Sequence, residues 1–439
     1  MLAIISIGVA TEHYLVAVSS TLLPLILLFP VESSLGLFAL MIPFDSVVLV
    51  GQQTTWTWLV GAFTGAIMLL YGLISGRLQR PPRAAFWWAL FVFWASATVL
   101  WAANPLTSIQ RLSTVMALFA FYLVIVSFRV TKKELANVLL LAILGGVLSS
   151  VFTLKQFAHG TAFQSRASLV YEGQEANPND FAATLIIALS FAIGGFLSAE
   201  RRMFKAAMMA AIALLSLCML LTMSRGALFA VGILLLVFLI RTRFRLWLLA
   251  PILCLLTLVS ILPDTFFMRI NESLVDWGEG RLDIWIVGLQ IIKHHSILGV
   301  GLDNFPFAYN TYAAYAPVFR GFSRAPHNIY LQVWTELGLV GLGLFATAVI
   351  SQVKQGATIA RESRTYALIA SEAACYALLA HGVVANLLWR KAFWMSWILL
   401  TLMVQLTSRT SDSIHTGFFR QVRAEASSRL LRQNGGLLR

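Results

Sequence analysis

Apolar runs long enough to cross a lipid bilayer recur along this chain from Tyr14 to Leu406, and that recurrence fixes its class. Hydrocarbon offers a backbone amide no partner, so each run must satisfy its own hydrogen bonds and reads as a membrane helix. Composition agrees. Of 439 residues, 59% are hydrophobic and only 12% are charged, about half the charged share of a soluble domain. A soluble protein of this length would need far more polar surface to cover its core.

The formal charge of +13 would suggest nucleic acid in a soluble protein, but the placement of the cations gives another reason for it. Five short clusters sit between apolar runs: Arg77, Arg80 and Arg83; Arg129, Lys132 and Lys133; Arg201, Arg202 and Lys205; Arg241, Arg243 and Arg245; Lys354, Arg361 and Arg364. A sixth basic stretch follows Thr407. This is the pattern of cytoplasmic loops, so the basicity is topological and no nucleic-acid partner is expected. Cys218, Cys254 and Cys375 all fall inside apolar spans, without disulfide or metal-ligand spacing. The N-terminal segment lacks the basic start and small-residue cleavage site of a signal peptide, which favours direct insertion of the first span.

From Arg77 onward the spans fall near 84–101, 107–128, 135–157, 180–198, 206–223, 226–240, 246–263, 328–352, 366–386 and 392–407. The first 76 residues hold no Lys or Arg and three apolar stretches, near 14–30, 33–50 and 56–76, interrupted by Pro24, Pro30 and Pro43. If one of these is re-entrant or half-length, the total is twelve with both termini inside; if all cross, it is thirteen. The expected fold is therefore an all-α polytopic membrane protein of about twelve spans. Its divisions are an N-terminal hairpin region (1–76), a transmembrane core (77–263), a long loop on the face opposite the basic clusters (264–326), which the resemblance given below makes periplasmic, C-terminal spans (327–408) and a basic cytoplasmic tail (409–439). The long loop exceeds ordinary connections and is rich in aromatics, from Phe305 to Phe319, which argues against disorder. Within it, Ile284, Trp285, Gly288, Ile291 and Ile292 recur at helical spacing and predict an amphipathic helix over 281–294.

Four polar groups stand on the face opposite the basic clusters. Arg166 precedes Asn177-Pro178-Asn179-Asp180, where Asn179 or Asp180 is suited to cap the next helix. Ser224-Arg225-Gly226 breaks two very apolar helices. Arg225 does not fit the positive-inside pattern, and an arginine so close to hydrocarbon calls for an anionic partner, either a structural carboxylate or a bound phosphate. Gly280-Arg281-Leu282-Asp283 opens the amphipathic helix, where amides and a guanidinium make an anion site or Arg281 pairs with Asp283 across one turn. Arg324-Ala-Pro-His327-Asn328 leads into a membrane helix carrying Glu336 and Gly338. An imidazole at that mouth is either structural or able to accept a proton from a hydroxyl near neutral pH. The chain has no Walker loop, no metal-ligand histidine cluster and no acidic pair with metal-binding spacing, so neither metal nor cofactor is expected.

In order and spacing, these segments resemble the O-antigen ligase and polymerase family of bacterial envelope glycosyltransferases. The segments are Asn177-Pro-Asn179, Ser224-Arg-Gly226, Gly280-Arg-Leu-Asp-Ile-Trp285, Gly299-Val-Gly-Leu-Asp303-Asn-Phe305 and His327-Asn-Ile-Tyr-Leu331 with Glu336-Leu-Gly338. The resemblance covers roughly Arg166 to Leu344. It implies a GT-C-like, metal-independent inverting transferase in the bacterial inner membrane, with its site facing the periplasm. The donor it implies is a glycan on undecaprenyl diphosphate, and the acceptor lipid A–core or, in a polymerase, a growing glycan. Carried onto this chain, His327 becomes the base or acceptor-positioning group, and Arg225 and Arg281 hold the diphosphate. Arg166, Arg324, Asn328, Asn179 and Asp303 are further candidate substrate contacts. A secondary transporter is the rival from another class; it predicts ionisable groups near the bilayer midplane and matching halves, and neither is found in the sequence.

Overall fold

The computed structural model describes residues 26–45, 47–50, 54–160, 166–242, 249–260, 280–319, 321–359 and 364–409. The start of the first apolar stretch, Arg243, Arg245, Arg361, the first part of the long loop and the tail beyond Arg409 lie outside these residues. The described chain is almost entirely helical. In order come α1 (Glu32–Phe44), α2 (Trp56–Ile74), α3 (Arg83–Trp101, closing in a 3-10 turn), α4 (Pro105–Val126) and α5 (Lys132–Ala158). Then come α6 (Pro178–Ser198), α7 (Arg202–Leu221), α8 (Arg225–Thr242), α9 (Leu249–Ser260), α10 (Arg281–His295) and α11 (Phe305–Tyr312). The series ends with α12 (Ile329–Ala357), α13 (Tyr366–His381) and α14 (391–409). Strand is confined to two-residue ribbons, Leu49–Val50 with Thr54–Thr55 and Val170–Tyr171 with Gln174–Glu175.

Eight of the described helices are long and apolar enough to cross a membrane: α2 to α8 and α12. The other expected spans from 33 onward carry shorter or less uniformly apolar helices, α1, α9, α13 and α14. At 1.5 Å per residue, the 13-residue α1 rises about 20 Å, short of a 30 Å hydrocarbon core. It thus has the half-length character read from its prolines. Its Glu32 accepts from Asn137 Nδ2 (2.9 Å) near the start of α5. At its other end Asp45 meets Lys391 Nζ at 2.5 Å, at the start of α14.

Several helices start where a side chain accepts from their first free amides. Thr131 and Glu134 form a reciprocal capping box on α5. Thr55, Asn104, Thr365 and Asn328 cap α2, α4, α13 and α12. On α6 the cap is Asn177, whose Oδ1 accepts from Asn179 N at 2.9 Å with Pro178 in the first helical position. This corrects the expected cap at Asn179 or Asp180: proline has no amide to satisfy and a fixed φ, so the helix begins two residues earlier.

The most enclosed span is α6, with 78% of its most apolar window buried against protein, compared with 28% for α2. It packs against α5, α7, α8 and α13, so both termini of those neighbours are referenced to it. The ends carrying Arg77, Arg129, Arg201 and Arg241 gather on one face. There Arg77 bonds Glu134 at 2.5 Å and stacks over Phe128, and Arg241 meets the buried Glu372 at 2.9 Å. The opposite face carries the starts of α6, α8, α10 and α12.

On that face the long loop folds into a small core of its own, built from Ile284, Val287, Ile291, Val300, Phe305, Ala308 and Tyr309. Part of the aromatic segment is thus packing, whereas Phe307, Tyr315, Phe319 and Phe322 stay exposed. The loop is bolted to the membrane helices at a break in α12, where Gly338 takes φ 69°, ψ −172°. Breaking a helix orphans carbonyls, and here each finds a donor. Thr335 O accepts from Val300 N, Glu336 O from Gly301 N (2.9 Å each), and Leu337 O from Trp94 Nε1 (2.8 Å). The Gly-Val-Gly segment therefore runs along the broken turn as a surrogate for the missing helical donors.

Candidate functional site

The polar groups singled out in the sequence are helix starts: Asn177-Pro-Asn179 opens α6, Ser224-Arg225 opens α8, Gly280-Arg281 opens α10 and His327-Asn328 opens α12. Arg225 and Arg281 are each the first residue of their helix, so each guanidinium stands beside amides that carry the positive end of a helix dipole. Two sharp turns put them there. Met223 takes φ 50° between α7 and α8, and Gly280 takes φ 76° ahead of α10.

Both arginines line one open cavity of about 340 Å³, together with Gly226, Phe229, Leu282, Trp285, Val383 and Val384. The volume is in the range of small-molecule sites. Its chemistry is divided: two cations and two helix starts at one side, and aliphatic and aromatic walls at the other. Phe229 and Leu282 are 56% and 42% exposed, so the apolar wall continues outward on the lipid-facing side of α8 and on α10.

His327 stands beside this cavity in a left-handed turn, φ 46°, half-buried. Its position is fixed from both sides. Trp285 Nε1 donates to the carbonyl of Pro326 (3.0 Å), and Asn328 Oδ1 caps α12 by accepting from Tyr330 N (2.9 Å) and Leu331 N (3.0 Å). Burial holds the imidazole below its usual pKa, the Arg281 and Arg324 guanidiniums push the same way, and Asp180 opposes them. The ring is consequently neutral at pH 7 and able to accept a proton.

The other candidates support the site rather than line it. Arg166 is 5% exposed, with Nε donating to Thr222 O (2.8 Å) and Nη2 to Asn179 Oδ1 (2.9 Å), which ties the turn before Arg225 to the start of α6. Asn179 is the acceptor of that tie, and Asn328 is a helix cap. Asp303 holds Arg111 through two contacts, 2.9 and 3.1 Å, and donates its amide to Glu336 Oε2 at 3.0 Å, so it clamps the loop to α4 and α12. Arg324 is half-buried near His327 and acts on its charge.

Several residues of the site were not singled out in the sequence. The turn after α13 contributes Val383 and Val384 to the cavity wall, and His381 beneath it. Arg390 pairs with Asp180 at 2.5 Å. Arg390, Lys391 and Arg111 were detectable in principle, since they are cations on the face away from the basic clusters, the same anomaly that marked Arg225.

Residues 210–346 match the family model described as O-antigen ligase, a stretch that contains Arg225, Arg281 and His327. No curated protein sequence matches the chain. The match supports the resemblance to the O-antigen ligase family over that stretch.

Proposed function

We propose that this protein, similar to the O-antigen ligase family over residues 210–346, is a metal-independent, inverting glycosyltransferase that draws a glycan from undecaprenyl diphosphate on the periplasmic face of the inner membrane. The observation that carries the reading is the pairing of Arg225 and Arg281 across a single cavity whose remaining walls are apolar. A diphosphate leaving group gathers negative charge as the glycosidic bond breaks. Two guanidiniums and two helix starts placed in advance stabilise that charge without reorganising at the moment of reaction. The walls of Phe229, Leu282, Val383 and Val384 suit the prenyl chain on the same molecule.

In the proposed step the acceptor hydroxyl attacks the anomeric carbon while neutral His327 takes its proton. The bond between that carbon and the phosphate oxygen breaks, and undecaprenyl diphosphate leaves with the electron pair. The acceptor we favour is a lipid A–core sugar, which makes the protein an O-antigen ligase.

Purified protein supplied with undecaprenyl-diphosphate-linked glycan and lipid A–core in the presence of EDTA tests this. The expected product is glycosylated lipid A–core, formed at least about a hundredfold more slowly by His327→Ala and Arg225→Ala. Lengthening of the glycan on the prenyl carrier instead would make the enzyme a polymerase with the same site. If folded wild-type protein transfers to neither acceptor from a verified native donor, the transferase reading fails.

A further inference from the structure

His381 ends α13 on the face that carries the site, and its side chain is fully buried. Its Nε2 lies 3.2 Å from the carbonyl of Asn179, at the start of α6. A carbonyl only accepts, so Nε2 carries the proton and Nδ1 keeps its lone pair. Nδ1 lies against the backbone of Gly226. It faces Gly226 so closely that a Cβ on that residue would sit 3.1 Å from Nδ1 and 2.3 Å from Val384 Cγ2. The ring therefore occupies the space that a side chain at position 226 would need. Glycine next to Arg225 is what lets the turn after α13 close over the start of α8.

The same turn also meets the start of α12 and lines the cavity. Gly382 O accepts from Ile329 N (2.8 Å), at the start of the helix that follows His327. Val384 N donates to His381 O (3.0 Å), and Val383 and Val384 line the same cavity as Arg225 and Arg281. Asn179, held by His381 on its carbonyl, is held by Arg166 on its side chain, and Arg166 reaches on to Thr222 just ahead of Arg225. His381 thus closes a ring of contacts through the starts of α6, α8 and α12. An aliphatic side chain would fill the same space but could not donate to the carbonyl of Asn179.

We infer that His381 is a positioning residue of the transferase: through its bond to Asn179 and its packing on Gly226 it sets where Arg225 stands relative to Arg281 and His327. The inference rests on the proposed function only in taking Arg225 as the group that acts on the donor. A misplacement of about 1 Å at such a group can cost on the order of a hundredfold in rate.

The test compares His381→Gln with His381→Asn in full-length protein, each alone and combined with Arg225→Ala. The two replacements have similar polarity, but a glutamine amide nitrogen reaches about where Nε2 lies and can still donate to Asn179, whereas the asparagine amide stops short. Steady-state transfer from the prenyl-linked donor is measured alongside the thermal unfolding midpoint, so that a folding defect is seen directly. Binding of undecaprenyl diphosphate is measured in the same samples. The expected result is a kcat/KM for donor within about threefold of wild type for Gln and lower by about tenfold or more for Asn. In the Arg225→Ala background, the difference between Gln and Asn should shrink to less than about twofold, because the group being positioned is gone. Equal activity of the Gln and Asn variants, or an undiminished difference without Arg225, overturns the inference. If Arg225→Ala itself binds undecaprenyl diphosphate as wild type does, the functional reading falls. If Arg225→Ala is weakened and His381→Asn is indistinguishable from wild type, the positioning role alone falls.

Discussion

His327 gains its proposed competence from its neighbours. Burial and the guanidiniums of Arg281 and Arg324 disfavour the imidazolium, so the neutral ring persists below the ordinary value of 6.5. A base must be unprotonated to act, and transfer is therefore expected to fall only as pH drops through a limb below 6.5. Arg324→Gln removes one of the two like charges and should move that limb upward. A pH profile of kcat/KM in both proteins checks this, and a wild-type limb above 6.5, or one indifferent to position 324, contradicts it. At the same scale Arg225 was legible in the sequence, because a cation at the wrong membrane face needs an anionic reason to be there. His381 was not. A lone histidine closing an apolar helix has no local pattern, and its partners Asn179 and Gly226 lie far away in the chain, where only the fold can connect them.

At the scale of elements, the site is a convergence of helix starts, and the loop that delivers two of them hangs on one broken helix. Gly338 sits at φ 69°, and a Cβ there would lie 2.0 Å from the carbonyl oxygen of Ile297. Gly338→Ala must shift backbone on both sides, and the strained φ adds to the cost, for an expected loss of about 2–4 kcal/mol. The thermal unfolding midpoint in detergent should fall clearly, with loss of the clamp between Val300–Gly301 and Thr335–Glu336. A midpoint within a degree of wild type would show that the break is not held as described. Among the described residues, the eight helices long and apolar enough to cross a membrane start and end within about five residues of the runs read from hydropathy, because an apolar run bounded by a cap and a basic cluster leaves little freedom. The break in α12 was not expected. Glu336-Leu-Gly338 was seen as a motif, but a glycine inside an apolar run does not announce a left-handed turn without the strand of chain that satisfies its orphaned carbonyls. Asn179 and Asp180 were likewise displaced from the expected cap: Pro178 fixed the helix start earlier than the run of Asn and Asp suggested, and Asn177 caps it.

Across the whole molecule, charge is sorted by face and by purpose. One face carries clustered cations locked in ion pairs such as Arg77–Glu134 and Arg241–Glu372, which fits an orienting role. The other carries Arg225 and Arg281, each at a helix start, on a cavity that opens onto apolar surface. That division is what a lipid-linked anionic donor requires, with its prenyl chain in hydrocarbon and its diphosphate at the boundary. The central claim is that Arg225 and Arg281 together hold that diphosphate, and equilibrium binding of undecaprenyl diphosphate to purified wild type, Arg225→Ala, Arg281→Ala and the double variant tests it most directly. The account predicts at least about tenfold weaker binding for each single variant, a loss in the double variant that departs from the product of the two, and weaker binding of undecaprenyl monophosphate than of the diphosphate by wild type. Unchanged affinity in either single variant, in protein whose unfolding midpoint is that of wild type, would contradict it.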